Sequence, residues 1–262
     1  MARRLSEFDT AARHRAFRDA GFCVFDEVFG AAERRAMLDS LHGFIDGLAP
    51  ERLAGFGATI FALAAREPEL GRVFRETCVL PFVEQAMQGP LDLRRTGARI
   101  SGRTSHERII WHHHHGWAEQ DLARRTAFER VHFICYLNGT DRAHGPLILK
   151  PRAFSDPFLA APDDVFGPLP DEVAVEVPPG SIVVMDAPIL HSAWRGTGSE
   201  LRTIWGVHVQ SRAVTRPHLE DDPPVERLRV RVRHQAFRWG LRDGKRWLEE
   251  ANRSPLKPTH GY

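Results

Sequence analysis

Four consecutive histidines, His112 to His115, follow Ile109, Ile110 and Trp111 and precede Gly116 and Trp117. An apolar lead of this kind marks a strand, and residues two apart on a strand share a face. His112 and His114 therefore project together, while His113 and His115 face away or enter the following loop. Two converging imidazoles can grip a transition metal, but a third donor must come from elsewhere in the chain. The segment Pro179 to His191 reads as turn, strand, turn, with His191 opening the next strand as the candidate donor. Arg202, eleven residues later, opens another apolar run that ends at His208. Its guanidinium could receive the carboxylate of an anionic cosubstrate held by the metal. A histidine run alone is more often a solvated polar turn; His191 and Arg202 downstream tip the balance toward a metal site.

Other residues carry weaker signals. His208 lies six residues beyond Arg202, so both share a face on a regular strand. It could line a substrate cavity, and a satisfied core histidine is an equal reading. Trp117 could floor a pocket or simply pack. Arg99, with Arg95 and Arg103, could hold an acidic substrate, although solvated arginines are commoner. His132 is expected to be structural, and Asp186 to fix the turn before His191. There is no Gly-x-Ser-x-Gly elbow and no glycine-rich phosphate loop.

The elements that must position these residues divide into two textures. The first 90 or so residues read as mainly helical: a stripe from Phe8 to Phe17 stopped by Gly21, a short strand at 22–25, a helix through Met37, Leu41 and Leu48 ended by Pro50, and a third helical region over 57–88. From about 91, short β-rich runs alternate with Gly and Pro: 106–112, 129–137, 145–149, 173–177, 181–186 and 202–210. Helices in front and sheet behind predict an α+β domain. The remainder, about 213–262, is ambiguous. Residues 228–233 alternate with period two like a strand, the stretch after them looks helical, and an arginine-rich solvated wrap is the plain reading.

Composition bounds the function. The chain has 262 residues, 42% hydrophobic and 27% charged, the make-up of a soluble globular protein whose length suits one large domain spanning 1–262. A net charge of +2 is too mild for a nucleic-acid binder, and no apolar run is long enough to span a membrane. Three widely spaced cysteines, Cys23, Cys78 and Cys135, fit a reduced, cytoplasmic setting. Arginine supplies nearly all the positive charge, which with the alanine-rich segments points to a GC-rich, bacterial gene. A small-molecule substrate is the expected partner; oligomeric state is open.

In order and spacing, Trp111-His112-His113-His114, Gly145-Pro146-Leu147, Gly180 through Asp186, His191 and Arg202 resemble the phytanoyl-CoA dioxygenase family of the Fe(II)/2-oxoglutarate-dependent oxygenases. Phe17 to Phe25 also looks like that family's opening helix and strand, and the resemblance spans about residues 15–212. It implies a double-stranded β-helix (jelly-roll, cupin-like) core with N-terminal helices packed on one sheet, and Fe(II) and 2-oxoglutarate as cofactors. It further implies His112 and His191 as metal ligands and Arg202 as the partner of the distal 2-oxoglutarate carboxylate. One position departs: the family's carboxylate ligand falls at His114. A neutral imidazole there raises the charge of the site by one unit and leaves no room for a halide. Three readings stay open: His114 ligates, Glu119 or Asp121 swings in, or the protein is a non-catalytic metal or metabolite binder. A three-histidine dioxygenase acting on a metal-chelating substrate without 2-oxoglutarate is the alternative enzyme.

Overall fold

A computed structural model describes residues 3–43, 56–61, 63, 77–101, 109–114, 122, 124–194, 196, 202–214 and 230–234. After a short 3-10 turn at Leu5–Glu7, helix α1 spans Thr10–Ala20. Asp9 caps it by accepting a hydrogen bond from the Ala12 amide at 2.9 Å, satisfying one of the orphan first-turn donors. Gly21 ends it in the left-handed conformation, φ 77°, and a Cβ there would meet the Arg152 carbonyl oxygen at 2.8 Å. The chain turns directly into β1 (Phe22–Phe25), followed by α2 (Ala31–Gly43), β2 (Phe56–Phe61) and α3 (Val79–Ala86). The strands β3 (Leu91–Ser101), β4 (Arg130–Tyr136), β5 (Leu147–Leu149), β6 (Val173–Val175), β7 (Ser181–Asp186), β8 (His191–Ala193), β9 (Arg202–Ser211) and β10 (Val230–His234) follow.

A seven-stranded sheet runs β1-β7-β4-β9-β3-β2-β10 and a three-stranded sheet runs β6-β5-β8, every pairing antiparallel. Residues 109–114 lie along β8 as an extended segment: Ile109 donates to the Ala193 carbonyl, and His112 and His191 exchange backbone hydrogen bonds at 3.0 and 2.9 Å. Ile134, Tyr136, Val183 and Met185 of the large sheet pack on Leu147, Leu149 and Val175 of the small one and on Ile189 in the turn before β8. The opposite face of the large sheet, with Phe133, Cys135, Val184 and Val207, packs on Phe17 of α1 and Phe82 of α3. Phe82 stacks edge-on to Phe25, ring centroids 5.1 Å apart. Truncating such a fully buried ring costs about 3–5 kcal/mol. Burial of β4 and β7 on both faces explains the apolar runs within them, residues 133–136 and 182–185.

Two expectations need correcting. The helical region predicted over 57–88 holds strand β2 at Phe56–Phe61, and among its described residues helix is found at Leu63 and Val79–Ala86. The mainly helical layer predicted over the first 90 residues therefore contributes two strands to the large sheet. Apolar spacing over 57–61 suited either period, and pairing with β3 decided the matter. The strand expected at 106–112 is, among the described residues, the extended segment from 109 joined by a single bridge. Of the alternating residues near 228–233, those described, from Val230, form strand β10, which pairs with β2. Among the described residues no helix is long and apolar enough to cross a membrane.

Candidate metal centre

The sites of His112, His114 and His191 are set by backbone pairing. The reciprocal hydrogen bonds between His112 and His191 place those residues side by side, and the His114 amide donates to the Ala187 carbonyl at 2.9 Å. The turn that carries Ala187 is pinned by Asp186. Arg125 grips its carboxylate through both oxygens at 3.0 and 2.6 Å, Arg152 lies 3.7 Å away, and the Ile189 amide donates to its carbonyl. Asp186 thus fixes the turn before His191 and is engaged with two arginines rather than offered to a metal.

The side chains converge as the backbone directs. His112 Nδ1 donates to the Ile110 carbonyl at 3.0 Å and His191 Nδ1 donates to the Ile189 carbonyl at 3.1 Å. A carbonyl only accepts, so both rings carry their proton on Nδ1 and present an Nε2 lone pair. His191 Nε2 lies 3.1 Å from His114 Nε2. Burial, then the neighbouring His112 and His114, hold the His191 imidazole well below its ordinary pKa of 6.5, so it stays neutral. One ligand atom from each of the three residues lies within 4.8 Å of the others. Imidazole nitrogens ~2.1 Å from an ion and at right angles sit about 3 Å apart, so this donor set fits a first-row transition metal.

Sequence reasoning missed how many histidines meet here. His132 on β4 and His208 on β9 lie directly opposite in the strand register, with ring centroids 3.9 Å apart. Both approach His114, at 4.7 and 4.8 Å between ring centroids. His132 therefore belongs to the cluster rather than to the structural core alone. Its parity with Tyr136 was the available signal, but the doubly buried strand hid which parity faced inward. Burial, with His132, His114, Arg95 and Arg130 close by, holds the His208 ring well below its ordinary pKa.

Arg202 also lies on the inward parity of β9. Its Nη1 donates to the Gly145 carbonyl at 2.6 Å, and its guanidinium lies 5.7 Å from the Tyr136 ring centroid. Its Nε and the Tyr136 hydroxyl are both buried without a hydrogen-bond partner. Burial pushes the phenol up to about 12, so it remains a donor. Two unmet donors beside one another suit an anionic oxygen, because leaving them unpaired costs about 1–3 kcal/mol each. Arg99 is half-buried on β3 opposite Ile204, which puts it on the same inward face as Arg202. Trp117, Glu119, Asp121 and Arg103 lie outside the described residues. Among the described residues, no carboxylate joins either histidine group.

No family description and no curated protein matches the chain. Solved structures do. HygX from Streptomyces hygroscopicus, with nickel and 2-oxoglutarate bound, is 14% identical over 81% of this chain and 96% of its own, with a TM-score of 0.64. The epimerase SnoN in complex with Fe3+, alpha ketoglutarate and nogalamycin RO is 14% identical over 84% of this chain and 98% of its own, TM-score 0.61. The non-heme alpha ketoglutarate dependent carbocyclase SnoK from nogalamycin biosynthesis is 16% identical over 80% and 87%, TM-score 0.61. The shared property at these identities is the fold, an antiparallel sheet framework with helices on one face.

Proposed function

We propose that this protein is a mononuclear non-haem iron oxygenase of the double-stranded β-helix class, that it uses 2-oxoglutarate, and that it oxidises a small molecule. The observation that carries the reading is the pairing of two features on one interior. One is the His112–His114–His191 trio, half-buried at His112 and buried at the other two; the other is the pair of unmet donors at Arg202 and Tyr136. The likeness of fold to HygX and SnoN supports the same cofactors, because the metal and 2-oxoglutarate in their structures call for these two kinds of group, and SnoK is likewise described as alpha ketoglutarate dependent. The resemblance in motif order to the phytanoyl-CoA dioxygenases supports it as well.

His112, His114 and His191 would hold the iron through neutral nitrogens, with Arg202 and Tyr136 receiving the distal carboxylate of 2-oxoglutarate. When bound, iron with its cosubstrate supplies the activation of O2 that breaks a substrate C–H bond. The chain's own share is orientation and exclusion of water. The Ile110 and Ile189 carbonyls fix the ligand rings, the Arg125–Asp186 pair fixes the turn under them, and the apolar interior around Ile134, Met185 and Ile189 keeps the cosubstrate dry. The neighbours include an epimerase and a carbocyclase, so the oxidised carbon need not end as an alcohol.

Purified protein given Fe(II), ascorbate and 2-oxoglutarate, alone and with candidate substrates, should convert 2-oxoglutarate to succinate. Iron-loaded protein that never consumes it overturns the reading. The all-histidine donor set favours one competitor, a three-histidine dioxygenase that chelates its substrate directly. Oxygen uptake that proceeds without 2-oxoglutarate identifies that case.

A further inference from the structure

His114 belongs to two groups of histidines. On one side are His112 and His191; on the other are His132 and His208, and in this second trio too one ligand atom from each residue lies within 4.8 Å of the others. All three of its members are buried, and they come from three separate parts of the chain, β4, β9 and the 109–114 segment. The geometry is built rather than incidental. His132 and His208 are register partners whose rings lie side by side at 3.9 Å and 36°, and His114 meets them nearly edge-on, at 90° and 77°. Gly206 makes the space: a Cβ there would stand 3.1 Å from His132 Nε2. A side chain on β9 at that point would crowd the His132 ring.

We propose that His114, His132 and His208 form a second site for one first-row divalent ion of nitrogen preference, such as Ni2+, Cu2+ or Zn2+. We propose further that it alternates with the first site instead of filling beside it. The donor set supports the ion class, since three imidazoles without a carboxylate suit these ions better than Mg2+ or Ca2+. The alternation follows from His114. A neutral imidazole carries one lone pair, so its ring can serve one ion at a time. The ligand atoms of the second trio lie within 4.8 Å of one another and would close to the ~3.0–3.4 Å spacing of bound nitrogens on taking up an ion. Arg95 and Arg130 stand near His208, and their charge opposes a divalent cation. The second site is therefore the weaker one. In this arrangement the position at which the resemblance calls for a carboxylate is a movable ligand, and the ion has two seats along the interior.

The test is Ni2+ titration by calorimetry, with Cu2+ electron paramagnetic resonance to count nitrogen ligands. The wild-type protein should bind about one Ni2+ per chain. H112A/H191A should keep an ion, bound more weakly and with an altered nitrogen-coupled Cu2+ spectrum, and adding His208→Asn to that background should remove it. His132→Asn/His208→Asn should retain the first site. Thermal unfolding verifies that each variant is folded, and His208→Asn alone serves if the double change is not. The proposal is overturned if folded H112A/H191A binds no ion, and its alternation is overturned if the wild type takes two Ni2+ at once. These readouts do not involve turnover, so a failure to consume 2-oxoglutarate would sink the oxygenase reading and leave this one standing.

Discussion

His114 and His191 meet nitrogen to nitrogen, Nε2 to Nε2 at 3.1 Å, where the 109–114 segment lies against β8. His191 has its proton on the Nδ1 that bonds the Ile189 carbonyl, so its Nε2 can only accept. The contact is therefore either a hydrogen bond from His114 or the edge of a coordination sphere. His191→Ala or His114→Ala should weaken iron or nickel binding by more than the ~10–100-fold typical of losing a supporting hydrogen bond. His114→Asp should retain iron, because an anionic oxygen replaces a neutral nitrogen. Calorimetric titration of the three variants checks this.

Arg202 and Tyr136 should matter for cosubstrate and not for metal. Losing a charge-assisted hydrogen bond at Arg202→Ala costs about 1.5–3 kcal/mol, or about 10–100-fold in KM for 2-oxoglutarate. Tyr136→Phe should cost about tenfold or less. Nickel affinity measured without 2-oxoglutarate should stay at the wild-type value in both.

Asp186 holds the turn beneath two of the proposed ligands while buried between Arg125 and Arg152. Asp186→Asn leaves Arg125 without its counter-charge and Arg152 with Asp156 alone, a loss of about 3–5 kcal/mol for a broken buried pair. The midpoint of urea unfolding should fall accordingly, and metal affinity with it.

Acid should destabilise the metal-free protein in a defined window. His191 and His208 are held below 6.5 in the folded state, so below pH 6.5 the unfolded chain takes up protons that the folded chain refuses. Stability falls as pH drops through that value, by up to about 1.4 kcal/mol per pH unit for each group. His208→Gln should flatten the slope measured between pH 7.5 and 5.5 with chelator present. Unfolding midpoints that stay constant across the window would contradict the assignment.

The cysteines should be inert in the native state. Burial raises the thiols of Cys23 and Cys135 and pushes Cys78 up to about 11. Iodoacetamide at pH 8 should modify them only after denaturant is added, as mass spectrometry of the intact protein will register.

Much of the proposed centre could be read from order and parity. The i, i+2 spacing of His112 and His114 and the strand-opening place of His191 are local properties of the chain, because strand geometry alone sets which side chains share a face. The same parity put Arg202 and His208 together on β9. What only the tertiary structure decided was strand and partner choice. The apolar stretch at 56–61 has no period strong enough to separate helix from strand, and it became β2 through pairing with β3. The strand Arg130–Tyr136 is buried on both faces, and its alternation of polar and apolar residues lapses after Phe133, so the sequence could not reveal that His132 points inward. His132 joins His208 through a register 76 positions apart in the chain, and backbone pairing at that separation is a property of the folded sheet alone. Sequence therefore marked His112, His114 and His191 as a candidate trio, and tertiary packing made His114 the member of two.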